Sequence, residues 1–241
     1  MAFAVGRSIA SANRQDGISN PFPPEWAFTT SGNLNVGELG ILVLADVNDI
    51  TSITDAAGNI WTKIAEHANS NNSAYAGSIC SIYYTIASST LLSGGTITVI
   101  YNGNASGGKA VTGFAFTLAK STITITGINT LSDDAADPGS ITSNPSTGNV
   151  EHLFIRGCAG ETNSTIYTPS ANFTAFTHTS SQCAADVGGT GPTAARGEYR
   201  IVTASSNSTD PSAVSANWAS IMVAIDEGTI VRMLASTGVG K

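Results

Sequence analysis

Residues 94–127 read GGTITVIYNGNASGGKAVTGFAFTLAKSTITITG. Three runs in this stretch, Thr96–Tyr101, Ala110–Leu118 and Thr122–Gly127, alternate apolar with polar side chains and are rich in β-branched and aromatic residues. That period of two is the signature of strands with one face turned inward. Leu92-Ser93-Gly94-Gly95 and Gly103–Gly108 between them supply the Gly and Asn that hairpin turns need for positive φ. The segment Gly103-Asn104-Ala105-Ser106-Gly107-Gly108-Lys109-Ala110 matches a phosphate-binding loop except for Ala110, where a hydroxyl should ligate magnesium. Such a loop must open a helix whose N–H groups face the phosphates, whereas Val111, Thr112, Phe114 and Phe116 continue as an alternating strand. The segment therefore reads as a hairpin loop.

Outward from this stretch the same grammar continues. Upstream lie Leu39–Ala45, Asn59–Ala65 and Gly77–Ile86; downstream the second half repeats it with Val150–Cys158, Phe173–Thr177, Ala195–Thr203 and Trp218–Ile225. About ten short strands at such spacing predict a sandwich, and no apolar stripe of helical period runs beyond two turns. The fold expected is all-β: an antiparallel, jelly-roll-like β-sandwich over residues 37–226. Pro21, Pro23 and Pro24 around Phe22 and Trp26 predict an extended N-terminal arm over 1–36, and residues 227–241 read as a C-terminal tail with apolar Ile230, Val231, Met233 and Leu234. Ser132–Thr147, with Pro138 and Pro145, reads as a crossover between sheets.

The 241 residues carry 10 Lys+Arg against 17 Asp+Glu, a net charge of −7, the wrong sign for tracking phosphates or docking on an anionic membrane. Neither nucleic acid nor membrane is an expected partner. Charged residues make up 11%, so the 29 Ser, 29 Thr and 18 Asn must supply most of the polar surface. The first residues show no signal-peptide pattern, which predicts synthesis and assembly in a reducing cytoplasm. Cys80, Cys158 and Cys183 are odd in number and widely spaced, and read as buried free thiols.

Chemistry-bearing residues are scattered. His67, His152 and His178 form no helical metal pair, and His152 sits in a strand as a core or rim residue. Cys158 and His178 could meet in space, but a lone Cys in an apolar strand is ordinarily packing. Asp46, Asn48, Asp49 and Asp55, and Asp133, Asp134 and Asp137, are oxygen-rich enough for calcium, yet turn-forming Asp accounts for both groups. Glu66 and Glu151 give no paired-carboxylate signature. Trp61 and Trp218 belong to core strands, while Trp26 is expected exposed on the arm. No catalytic residue, cofactor or metal is assigned.

The segment Thr54-Asp55-Ala56-Ala57-Gly58-Asn59-Ile60-Trp61-Thr62, followed by Ile82-Tyr83-Tyr84, Gly94–Val99 and the closing Trp218–Ala224, resembles jelly-roll-like β-sandwich domains of tailed-phage virion proteins. The likeness covers residues 37–226. It implies a non-enzymatic virion protein, and within that class a capsid decoration or cement protein. Such a protein would be a homo-oligomer, a trimer in the favoured form, binding the major capsid protein across capsomers. Phe22, Trp26, Ile230, Met233 and Leu234 on the arms would bury apolar area there. The alternative is a tail-fibre or baseplate module in which Asn71, Asn72, Tyr75, Asn163 and Tyr167 touch a receptor glycan.

Overall fold

The computed structural model describes residues 3–16, 24–46, 48–69, 79–102, 107–133, 138–160, 167–176, 194–213 and 218–228. Among them there is no helix, and the strands pair antiparallel throughout. Eight strands come from the first half: β1 (Phe3–Asp16), β2 (Glu25–Thr29), β3 (Leu39–Asp46), β4 (Ile50–Asp55), β5 (Thr62–Ala68), β6 (Ile79–Ile86), β7 (Thr96–Tyr101) and β8 (Gly107–Leu118). They build a five-stranded sheet of order β1-β8-β3-β6-β5 and a three-stranded cover of order β2-β7-β4. The second half contributes β9 (Ile123–Asp133), β10 (Ile141–Ser143), β11 (Val150–Gly160), β12 (Tyr167–Thr168), β13 (Thr174–Ala175), β14 (Ala194–Ala204), β15 (Asn207–Thr209), β16 (Ser212–Ala213) and β17 (Trp218–Glu227). Here the large sheet runs β13-β14-β11-β17-β9, and two short ribbons, β10-β15 and β12-β16, lie outside it.

The two large sheets face one another. Alternation along β3 sends Leu39, Ile41 and Val43 into the space between them, where they meet Ile82, Phe114 and Phe116 of their own sheet and Leu153, Ile155, Tyr199, Ile221 and Val223 of the other. Phe114 stacks on Phe176 with ring centroids 5.3 Å apart and Phe116 meets Tyr199 edge-on at 5.1 Å, so aromatic contacts cross the seam. Gly157 lets the sheets approach, because a Cβ there would fall 2.8 Å from Val43 Cγ1. The opposite face of β3 carries Leu42 and Leu44, which pack with Tyr83, Val111 and Ala115 under Trp26, Phe28, Ile53, Ile97 and Val99 of the cover. Both β3 and β17 are thus buried on two faces, which is why they read as nearly continuous apolar runs.

The expected N-terminal arm is corrected. Residues 3–16 pair along their length with β8, and residues 25–29 pair with β7, so most of segment 1–36 is sheet. Trp26 is 3% exposed and packs 5.0 Å from the Phe28 ring, inside the cover rather than on a free arm. The body accordingly runs from Phe3 to Gly228. The phosphate-loop reading fails as expected from Gly107 onward, where the chain is strand β8.

Candidate functional site

The chemistry-bearing side chains gather on the outer face of the second large sheet. Along β11, Leu153, Ile155 and Ala159 turn to the central core, so the period of two sends His152, Phe154, Arg156 and Cys158 the other way, beneath the ribbons. Arg156 and Glu198 are opposite one another in the β11–β14 register, and both are 0% exposed. Charges buried this deeply persist only when hydrogen-bonded on most sides. Arg156 Nη1 donates to the Thr209 carbonyl at 3.0 Å, and Nη2 donates to the Pro138 carbonyl and to Ser220 Oγ at 3.3 Å. Glu198 accepts from the Ser170 amide at 2.8 Å, from Ser170 Oγ at 2.8 Å and from Thr209 Oγ1. Thr209 therefore links the two charges, its carbonyl to the cation and its hydroxyl to the anion.

A second polar group lies further along the same face. His152 Nε2 donates to the Gly148 carbonyl at 2.9 Å, and since a carbonyl can only accept, that nitrogen carries hydrogen. Its Nδ1 meets Asp226 Oδ1. The other oxygen of Asp226 accepts from Thr147 Oγ1 at 2.5 Å, and Thr126 Oγ1 donates to Oδ1 at 3.3 Å. Next to Arg156, the Cys158 thiol is buried and accepts from Ser220 Oγ at 3.4 Å. The Tyr167 hydroxyl reaches into the same layer, where burial, with Cys158 and Glu198 beside it, pushes its pKa well up. These groups bind the backbone of the covering segments: Pro138, Gly148, Ser170 and Thr209 all come from loops or ribbons. Their chemistry is that of a clamp.

Comparison with protein-family models, with curated proteins and with solved structures finds no match for this chain.

The sequence-predicted residues are dispersed. Phe22, Ile230, Met233 and Leu234 lie outside the described residues, as do Asn71, Asn72, Tyr75, Asn163, His178, Cys183, Asp134 and Asp137. Tyr167, expected to touch a glycan, instead directs its hydroxyl inward. Asp55 is a turn organiser: its carboxylate accepts from the Ala57 and Asn59 amides at 2.9 and 3.1 Å, from Asn59 Nδ2 at 3.1 Å and from Trp61 Nε1 at 2.9 Å. Asp46 Oδ1 accepts from the Asn48 amide at 3.1 Å, again a turn. Among the described residues no three of His, Cys, Asp and Glu are grouped to hold a metal ion. His67 Nε2 meets Ser132 Oγ at 2.7 Å, tying β5 to β9, and burial lowers its pKa. Glu66 accepts from Lys63 Nζ at 2.6 Å and from Ser81 Oγ at 3.1 Å, and Glu151 from the Phe3 amide at 3.3 Å. Lys109 is buried, with its ammonium 5.5 Å over the Tyr101 ring. Trp61 and Trp218 are core residues, and Cys80 and Cys158 are buried free thiols, as expected. Arg156 and Glu198 escaped the sequence reading. The signal was present: a charge in the apolar run LFIRGC (153–158), and an opposite one in ARGEYR (195–200).

Proposed function

We propose that this protein is a non-enzymatic structural component of a tailed-phage particle, a capsid decoration protein that binds the major capsid protein as a homo-oligomer. The observation carrying this reading is what the motif behind the resemblance does. In Asp55-Ala56-Ala57-Gly58-Asn59-Ile60-Trp61, the Asp55 carboxylate collects the backbone amides of Ala57 and Asn59, the Asn59 side-chain amide and the Trp61 indole, and Asn59 Oδ1 in turn accepts from the backbone amides of Ser88 at 2.9 Å and Ser89 at 3.0 Å. The motif is a loop brace, and its value to a protein is mechanical. The buried charges of the second half serve the same end by holding ribbons to a sheet. With Trp26 in the core, the capsid contact is assigned to Phe22, Ile230, Met233 and Leu234 on the remaining segments.

Gold-labelled antibody on purified particles, with copy number from quantified gels, tests the proposal. Many copies spread over the head support it. A few copies at the tail tip replace it with the receptor-binding reading, and absence from particles overturns both. Deletion of 1–30 would strip β1 and β2 from their sheets, so the clean probe of the capsid contact is truncation after Gly228. Truncation should abolish particle binding and leave the unfolding midpoint of the body unchanged; full occupancy by the truncated protein would refute the tail's part.

A further inference from the structure

We infer that the chain is a fused pseudo-dimer: two copies of one strand unit, residues 3–118 and 123–228, packed through the same face of each. Reading β9 for β1, β11 for β3, β13 for β5, β14 for β6 and β17 for β8, the first sheet order β1-β8-β3-β6-β5 becomes β9-β17-β11-β14-β13, which is the second sheet from its other edge. The covers correspond as well. The order β2-β7-β4 becomes β10, then β15 with β16, then β12, the middle strand being split at Asp210-Pro211. In each unit this is an eight-stranded, two-layered order of jelly-roll type.

The registers make the match residue by residue. Thr62 faces Tyr84 between β5 and β6, and Thr174 faces Tyr199 between β13 and β14. Laying these pairs on each other and following the ladders across puts Ile41 on Ile155, Phe114 on Val223 and Ala115 on Ala224. In that alignment Asn35-Val36, Leu39, Ile41 and Ala45 coincide with Asn149-Val150, Leu153, Ile155 and Ala159. The same alignment superposes a defect. The edge strand β1 bulges between Val5 and Arg7, opposite the Phe116–Ala115 step, and β9 bulges between Ile125 and Gly127, opposite the equivalent Ile225–Ala224 step. Bulges interrupt pairing at chosen places, so a bulge repeated at one register is a strong mark of common descent.

Packing between the inner strands of the units is reciprocal, while the contacts of β5 with β17 and β9 have no counterpart at the two-residue β13. β3 lies against β11, its own counterpart; β8 contacts β14 while β17 contacts β6; and β3 contacts β14 while β11 contacts β6. Each contact is the image of the other under exchange of units, the property of an isologous two-fold interface. The join is the segment 119–122. The Glu227 carboxylate accepts from the Ala119 and Lys120 amides, and the Gly228 amide donates to the Thr122 carbonyl at 2.8 Å, so both unit ends and the join meet at one place.

The test uses the full chain with a protease site placed between Lys120 and Ser121, cut after folding. Native mass spectrometry should show the two fragments travelling together at the parent mass, with an unchanged far-ultraviolet spectrum. As a second measurement, a circular permutant beginning at Ser121 and ending at Lys120, with residues 229–241 and 1–2 serving as its connector, should unfold within about 5 °C of the parent. Separation or unfolding of the cut fragments overturns the inference, and so does a permutant without the parent spectrum, because interchangeable units must tolerate either order.

Discussion

Under the cover of the first half, Leu42, Leu44, Tyr83 and Val111 occupy the places that Arg156, Cys158, Glu198 and Ser220 take in the second. The covers differ in step with this exchange. In the first half, strands of five and six residues form a continuous three-stranded sheet over an apolar layer that includes Trp26 and Phe28. In the second half the cover is two ribbons of two- and three-residue strands, with few ladder bonds of their own. Side chains from the large sheet supply the missing attachment, through Arg156 to Pro138 and Thr209, Glu198 to Ser170, and His152 to Gly148. One architecture is held by area in one half and by directed bonds in the other. An apolar layer accepts many side chains of suitable volume, whereas a polar layer works only when each member has its partner.

The largest expected effect comes from removing the buried guanidinium. Arg156→Ala takes the donor from the Pro138 and Thr209 carbonyls and leaves the buried Glu198 without the cation opposite it in the register, and should cost about 3–5 kcal/mol in urea unfolding. Arg156→Leu combined with Glu198→Tyr, which installs the first-half residues at these positions, should be more stable than Arg156→Ala alone; a double variant weaker than the single would mean that the two halves are not interchangeable here. In the apolar counterpart, Leu42→Ala should cost about 2–5 kcal/mol from lost transfer energy and the cavity left behind. That cost should vary little between pH 6 and 8, because no titrating group is removed, which parallel urea titrations would check.

Smaller effects follow from single titrating groups. Glu38 stands where the second half has His152, and it pairs with Arg7 at 2.6 Å. Burial raises its pKa, but the Arg7 guanidinium and the Asn35 amide outweigh that and leave it below the usual 4.5. Its contribution is therefore present above pH 4.5 and is lost as pH falls through the lowered folded value. Glu38→Gln should flatten the acid limb of the stability curve; a limb parallel to that of the parent would remove Arg7–Glu38 as its cause. At the seam between the halves, His67 has its pKa lowered by burial, so stability should decline as pH falls below the ordinary histidine value of 6.5 and level off beneath the folded pKa. His67→Gln should remove that shallow decline, as read from unfolding midpoints between pH 8 and 5.

Strands buried on two faces were plain in the sequence: LGILVLAD and WASIMVAIDE carry their apolar runs openly, and β7 shows clean alternation. The edge strand β1 was hidden for a physical reason. Two register shifts, at Gly6 and Ile9, break its period of two, and a pairing edge needs few large apolar side chains. In β2 the alternation was present, with Trp26 and Phe28 inward, but the neighbouring prolines pointed to an arm. The charges of the clamp stood out inside apolar runs, but hydrophobic pattern treats a buried Arg as a surface residue and does not show what it binds. Its partners, Ser170, Thr209 and Pro138, are distant in sequence and of types common everywhere in this chain. The repeat was visible as shared grammar, yet the matching positions around Asn35 and Asn149 are too few to stand out until the ladders align them.

Because Phe3 pairs with Leu118 and Glu227 with Ile123, both outer strands start or finish beside the same short join. A pull applied through the chain ends would then open β1 from β8, and β17 from β9, like a zip, loading hydrogen bonds in succession. A load spread across the covering faces is shared by many bonds and by the central core together. This body should be mechanically soft to tension along its own chain and stiff to pressure through its layers.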